Sequence, residues 1–170
     1  MPTLLAGRAS SGVRARRGVT LIEMMIVVAL IALMAGISFP AVSAGVETLR
    51  LNSAADDVVG ILNAAVNRAG RRQSAVEVTV SREGNFVMAT SAEPGFERVA
   101  RFPETISIVA IAPAMPYDDP RGKRFLVYPG GAPPRIAVVL ANRRGDRRHI
   151  MLDPITGVAA ITRENAPGLP

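Results

Sequence analysis

The chain has 170 residues, 49% of them hydrophobic but only 4% aromatic, with 20 Lys and Arg against 14 Asp and Glu and a formal charge of +6. That length allows one domain with a modest core beside a membrane segment, and the absence of cysteine excludes a disulfide framework, a thiol nucleophile and a thiolate metal site. The basic balance suggests nucleic acid only until its distribution is read. Arg8, Arg14, Arg16 and Arg17 all precede Gly18 while all 14 acids follow it, so without the first 18 residues the charge falls by four from +6 to +2.

Met1 to Gly18 is rich in Ala, Gly, Ser and Arg and contains no acid, the composition of a leader that needs no fold of its own. Arg16-Arg-Gly-Val-Thr-Leu-Ile-Glu23 then opens an apolar run, with 23 residues from Met24 to Val46 free of charge. About 20 apolar residues at about 1.5 Å each match the roughly 30 Å hydrocarbon core of a bilayer, so the run predicts a membrane span. A secretory signal peptide has an apolar core of only about 7 to 15 residues and then a small-residue cleavage site. Here the core is longer, and Ala-Gly-Ile-Ser-Phe-Pro leads straight into a helical pattern. Arginines beside a span favour its cytoplasmic side, which predicts a cytoplasmic leader and a periplasmic remainder.

A plain anchor accounts for the length and the flanking arginines but not for Glu23. An ionised carboxylate in hydrocarbon costs roughly 2.5 to 3.5 kcal/mol or more, and such groups usually have a partner; no basic residue follows Glu23 until Arg50. A cut after Gly18 would create an α-amino group on Val19 with a pKa of about 7.7 to 8.0, largely cationic at neutral pH. That amine, from the same chain or a neighbour, is the nearest partner.

Arg17-Gly-Val-Thr-Leu-Ile-Glu23 resembles the class III signal of type IV pilins and type II secretion pseudopilins, whose usual form is Gly-Phe-Thr-Leu-Ile-Glu; Val19 stands where Phe or Met is commoner. The resemblance implies cleavage between Gly18 and Val19 by a prepilin peptidase, N-methylation of Val19, and pairing of Glu23 with the N-terminal amine of an adjacent subunit during assembly. Pro40 matches the proline this family carries about midway through its first helix.

Past Val46 the pattern turns amphipathic. Leu51, Ala55, Val58, Leu62, Ala65 and Ala69 recur at spacings of four and three, one stripe of a helix, while Asn52, Asp56, Asp57, Asn63, Asn67 and Arg68 fall mainly elsewhere. A single helix is therefore predicted from about Val19 to Ala69, roughly 75 Å long at about 1.5 Å per residue. Gly36 and Pro40 lie where it leaves the span, and a proline removes one backbone hydrogen bond. A bend is expected there, either a deformable joint for leaving the bilayer or a kink without a role.

After Gly70 the period becomes two. Ala75-Val-Glu-Val-Thr-Val, the turn Ser81-Arg-Glu-Gly-Asn and Phe86-Val-Met-Ala predict a β-hairpin. Further strands are expected at Arg98 to Phe102, Ile106 to Ile111, Phe125 to Tyr128, Ile136 to Ala141, Arg147 to Leu152 and Val158 to Thr162. Tight connections are expected at Arg143-Arg-Gly-Asp and at Asp153-Pro-Ile-Thr-Gly. Prolines 113, 116 and 120 with Gly122, and Pro129-Gly-Gly-Ala-Pro-Pro, mark irregular connections. The expected fold class is α+β, a long N-terminal helix packed on antiparallel β-sheets. The expected layout is a leader over 1–18, a membrane and assembly helix over 19–46, a periplasmic domain over 47–164 that includes the amphipathic half of the helix, and a frayed tail over 165–170.

Phe125-Leu-Val-Tyr-Pro-Gly-Gly, Ile136-Ala-Val-Val-Leu and His149-Ile-Met-Leu-Asp-Pro-Ile-Thr-Gly-Val are similar to the C-terminal half of the minor pseudopilin H class. In that family a strand ends at a Pro-x-Gly turn and a later strand at an Asp-x-x-Thr-Gly turn. The resemblance implies a single-pass inner-membrane subunit that joins other pseudopilins near the tip of a periplasmic pseudopilus and supports export of folded proteins. The alternative is a minor type IV pilin that binds DNA during uptake or initiates pilus assembly.

Other constellations are weaker. Arg143, Arg144, Arg147 and Arg148 are the densest basic cluster after the leader, able to meet phosphates or a neighbouring subunit; no aromatic residues are interleaved to stack bases. His149, the single histidine, has no nucleophile or orienting acid in its sequence neighbourhood, so strand packing is expected. Asp118 and Asp119 lack the spaced ligand set of a calcium site, and Gly130-Gly131 is followed by neither a helix start nor Lys-Ser/Thr, so it is no phosphate loop. No catalytic residue, metal or cofactor is expected.

Overall fold

A computed structural model describes residues 18–113 and 122–162, apart from the side chains of residues 40 and 41. The leader, the Asp118-Asp119 loop, Arg163 and the tail from Asn165 lie outside the described residues. The chain forms two compact units, Met1–Ala41 and Val42–Pro170.

One helix, α1 (Leu21–Arg72), enters both units. It starts two residues later and ends three residues beyond the expected Ala69. Gly70 does not stop it; Gln73 does, by taking a left-handed φ of 52° and donating from Nε2 to the Gly70 carbonyl at 2.8 Å. Arg71 and Arg72 in the last turn add favourable charge where the helix dipole is negative. The helical backbone continues through Gly36 and Pro40, and the Pro40 side chain lies outside the described residues.

Eight strands follow: β1 (Val76–Ser81), β2 (Phe86–Ser91), β3 (Glu97–Arg101), β4 (Ile106–Ala112), β5 (Lys123–Val127), β6 (Ile136–Asn142), β7 (Arg147–Leu152) and β8 (Ala159–Thr162). They form two four-stranded sheets, β3-β2-β1-β5 and β4-β6-β7-β8, antiparallel at every pairing. The α+β class with antiparallel sheets is as expected. The chain crosses from the first sheet to the second at β4, returns at β5 and crosses again at β6, an order that alternation along a strand does not encode. Strand ends shift by one or two residues from expectation. β5 starts two residues early, at Lys123, and that lysine lies on the buried side with Phe125 and Val127.

The predicted stripe is the helix side of the core. Leu51, Ala55, Val58, Leu62, Ala65 and Ala69 are all buried, in one cluster with Val76, Val78 and Val80 of β1 and Ile136, Val138 and Leu140 of β6. Burying valine and leucine side chains contributes about 1.5 to 3 kcal/mol each, and this cluster is what fixes the helix stripe to both sheets.

Polar side chains set the registry. Asn85, in the β1–β2 turn at φ 47°, donates from Nδ2 to the carbonyls of Phe102 (3.2 Å) and Ile106 (2.7 Å) and accepts at Oδ1 from the Ile108 amide (3.3 Å). One side chain thus ties a turn of the first sheet to the start of the second. Buried Lys123 donates from Nζ to the carbonyls of Ile111 (3.1 Å) and Pro113 (2.9 Å), joining β5 to the end of β4. On the helix, Asn63 Oδ1 accepts from the Ala159 amide at 2.8 Å, and Asn52 Oδ1 accepts from Arg148 Nε at 2.8 Å.

Candidate functional site

Gly18, Val19 and Thr20 precede α1 in extended or irregular backbone. Thr20 caps the helix: its Oγ1 accepts from the Glu23 amide at 3.2 Å and its carbonyl from the Met24 amide at 3.2 Å. Thr20-x-x-Glu23 is the sequence form of a capping box, so the motif itself carries a signal for where the helix starts. Glu23 sits at the third helical position, where a carboxylate gains about 0.3 to 1 kcal/mol from the helix dipole at exposed sites. That gain is smaller than the roughly 2.5 to 3.5 kcal/mol cost of an acid at the centre of a span. Among the described residues the Glu23 carboxylate has no hydrogen-bond or ion-pair partner.

Local structure does not require glycine at position 18. Its φ is not left-handed, and an added Cβ would meet nothing within 4 Å. Beyond it the first part of α1 carries no charge from Met24 to Val46; its most apolar 18-residue window has a mean hydropathy of 2.5 and none of it is buried. Among the described residues this is the one helix long and apolar enough to cross a membrane.

The four arginines of the β6–β7 hairpin do not converge. Arg143 faces Glu104 of the β3–β4 turn at 3.8 Å. Arg148 is half-buried, donating to Asn52 Oδ1 and, from NH1, to the Arg147 carbonyl at 2.8 Å. Arg144 and Arg147 are exposed and make no ion pair among the described residues. Asn142 holds the turn, accepting at Oδ1 from the Arg144 (3.0 Å) and Asp146 (2.9 Å) amides and donating from Nδ2 to Asp146 Oδ2 at 2.8 Å. Gly145 closes it at φ 88°, a conformation that strongly favours glycine.

Asp153 organises the β7–β8 turn. Its carboxylate accepts from the Ile155 amide (2.8 Å) and the Thr156 hydroxyl (2.9 Å), and these bonds, the Ile155 amide foremost, hold its pKa below the usual carboxylate value. The turn extends to Val158, whose carbonyl accepts from the Asp153 amide at 3.1 Å, so β8 starts one residue later than expected. His149 lies half-buried in β7, its Nε2 buried with no hydrogen-bond partner among the described residues. Gly130 and Gly131 lie in a bend with no helix after them. Among the described residues no three His, Asp or Glu side chains gather in a metal-holding group.

No curated protein and no solved structure matches the chain. Residues 13–39 match the prokaryotic N-terminal methylation motif, which marks this N-terminus as a type IV pilin-like signal at the head of an apolar helix.

Proposed function

We propose that this chain is a minor pseudopilin of a type II secretion system, of the H class, that assembles near the tip of a periplasmic pseudopilus. In this reading a prepilin peptidase cuts between Gly18 and Val19 and Val19 is methylated. The apolar half of α1 holds the subunit in the inner membrane, with the leader cytoplasmic and the β domain periplasmic. On assembly that half packs among the helices of other subunits, Glu23 meets the amine of a neighbour, and Gly36 and Pro40 let the helix deform on leaving the bilayer. The role is structural rather than enzymatic.

One observation carries the reading: a matched methylation motif leads into a helix that is uncharged from Met24 to Val46, with a first-turn carboxylate that has no partner among the described residues. A glycine that the fold does not need at position 18 supports recognition of that residue by a processing enzyme. The DNA-binding alternative is less well supported, because two of its four arginines are engaged within the protein.

Secretion and DNA uptake separate in one comparison. Loss of this subunit is expected to reduce export of folded proteins, while the protein gives no gel shift with DNA at low salt. A shift whose affinity falls steeply as salt rises, the signature of phosphate contacts, together with normal export, would transfer the chain to the pilin alternative.

A further inference from the structure

The hydrogen bonds of the second unit fix where its basic hairpin lies along α1. Arg148, at the start of β7, is level with Asn52. Ala159, paired with Leu152 at the end of β7, is level with Asn63. The helix rises about 16 Å between those asparagines, and β7 covers about 13 Å between Arg148 and Leu152. Strand and helix therefore run in the same sense, and residues before Arg148 lie toward the low-numbered end of the helix. The Arg144-Gly145 tip, three to four residues earlier at about 3.3 Å each, reaches the level of about Val46. That is where the uncharged run ends and the first charge of this part of the chain, Glu47, appears.

Three arginines are available at this level. Arg50, Arg144 and Arg147 are exposed and make no ion pair among the described residues. Of the nearby acids, Glu104 faces Arg143, Asp146 accepts from the Asn142 side chain, and one Glu47 carboxylate oxygen is buried without a hydrogen-bond partner among the described residues. We infer that Arg144 and Arg147, with Arg50, form a basic rim that rests on the phosphate headgroups of an anionic lipid leaflet while the subunit waits in the membrane. The inference rests on the reading that the apolar run of α1 spans a bilayer. Two basic side chains near an anionic surface would favour the docked state by about 30-fold, an attraction that fades beyond a Debye length.

The test is amide hydrogen exchange of residues 143–147 in the full chain, one copy per lipid nanodisc. Discs of phosphatidylcholine are compared with discs containing phosphatidylglycerol. Slower exchange in the anionic discs, abolished by Arg144→Glu with Arg147→Glu and also by raised salt in the unmodified chain, is the expected result. Equal exchange in both discs overturns the rim. So does protection that appears only with added DNA, or only with two copies per disc, which would assign the tip to nucleic acid or to a neighbouring subunit. A chain that fails to co-elute with either disc overturns the spanning reading and the rim with it.

Discussion

Glu23→Gln is expected to leave a chain that is cut and held in the membrane but does not enter a filament. The substitution separates the two roles open to this residue. A capping box accepts Glu or Gln at its third helical position, and the Thr20 bond to the residue 23 amide does not involve the side chain that changes. The start of α1 should therefore survive. The charge is lost, and with it the attraction between a carboxylate and an α-amine brought together in a poorly solvated environment. The dipole of α1 offsets only about 0.3 to 1 kcal/mol of the carboxylate's cost in hydrocarbon, so a subunit with unmodified Glu23 gains by finding a cationic partner, and the glutamine variant does not. Cross-linking to neighbouring subunits should fall to background while fractionation with the membrane is unchanged. Normal incorporation of the Gln variant would show that the Glu23 charge has no part in assembly.

Asn85→Ala carries the largest expected effect on stability. Its side chain bonds three backbone groups of the segment that starts the second sheet, and stranding buried backbone partners costs about 1 to 3 kcal/mol in total when some are regained by water. Alanine at φ 47° adds about 1 to 2 kcal/mol of left-handed strain. Asn85→Gly removes the bonds without that strain, so the order of stability should be Asn, then Gly, then Ala. Thermal unfolding of the detergent-solubilised chain should show a Tm lowered by roughly 10 °C for alanine. If all three unfold together, the two sheets are joined by the core alone.

Local periodicity made much of this architecture readable. The stripe from Leu51 to Ala69 and the alternation of Val76, Val78 and Val80 each record a face buried against something, and both faces are buried in one cluster. What periodicity omits is the identity of the opposing surface. The β4 and β5 crossovers depend on pairings between distant segments. Asn85 and Lys123 read as turn and loop residues because the carbonyls they hold lie on or just beyond distant strands. The arginines of the β6–β7 hairpin form one cluster in sequence and part company in space, since Arg148 points to α1 and Arg143 to the β3–β4 turn. At the N-terminus the position is reversed. The motif is legible in seven residues, whereas its fold adds a helix cap and an exposed apolar surface, and its chemistry depends on molecules beyond this chain.

The most direct test of the account is intact mass with N-terminal sequencing of the full chain, expressed with and without a prepilin peptidase. The account predicts, with the peptidase, a new N-terminus at Val19 carrying one added methyl, and without it an uncut chain. A chain left intact under both conditions, or cut near Ala44, would contradict it and return residues 16–46 to a plain anchor or a signal peptide.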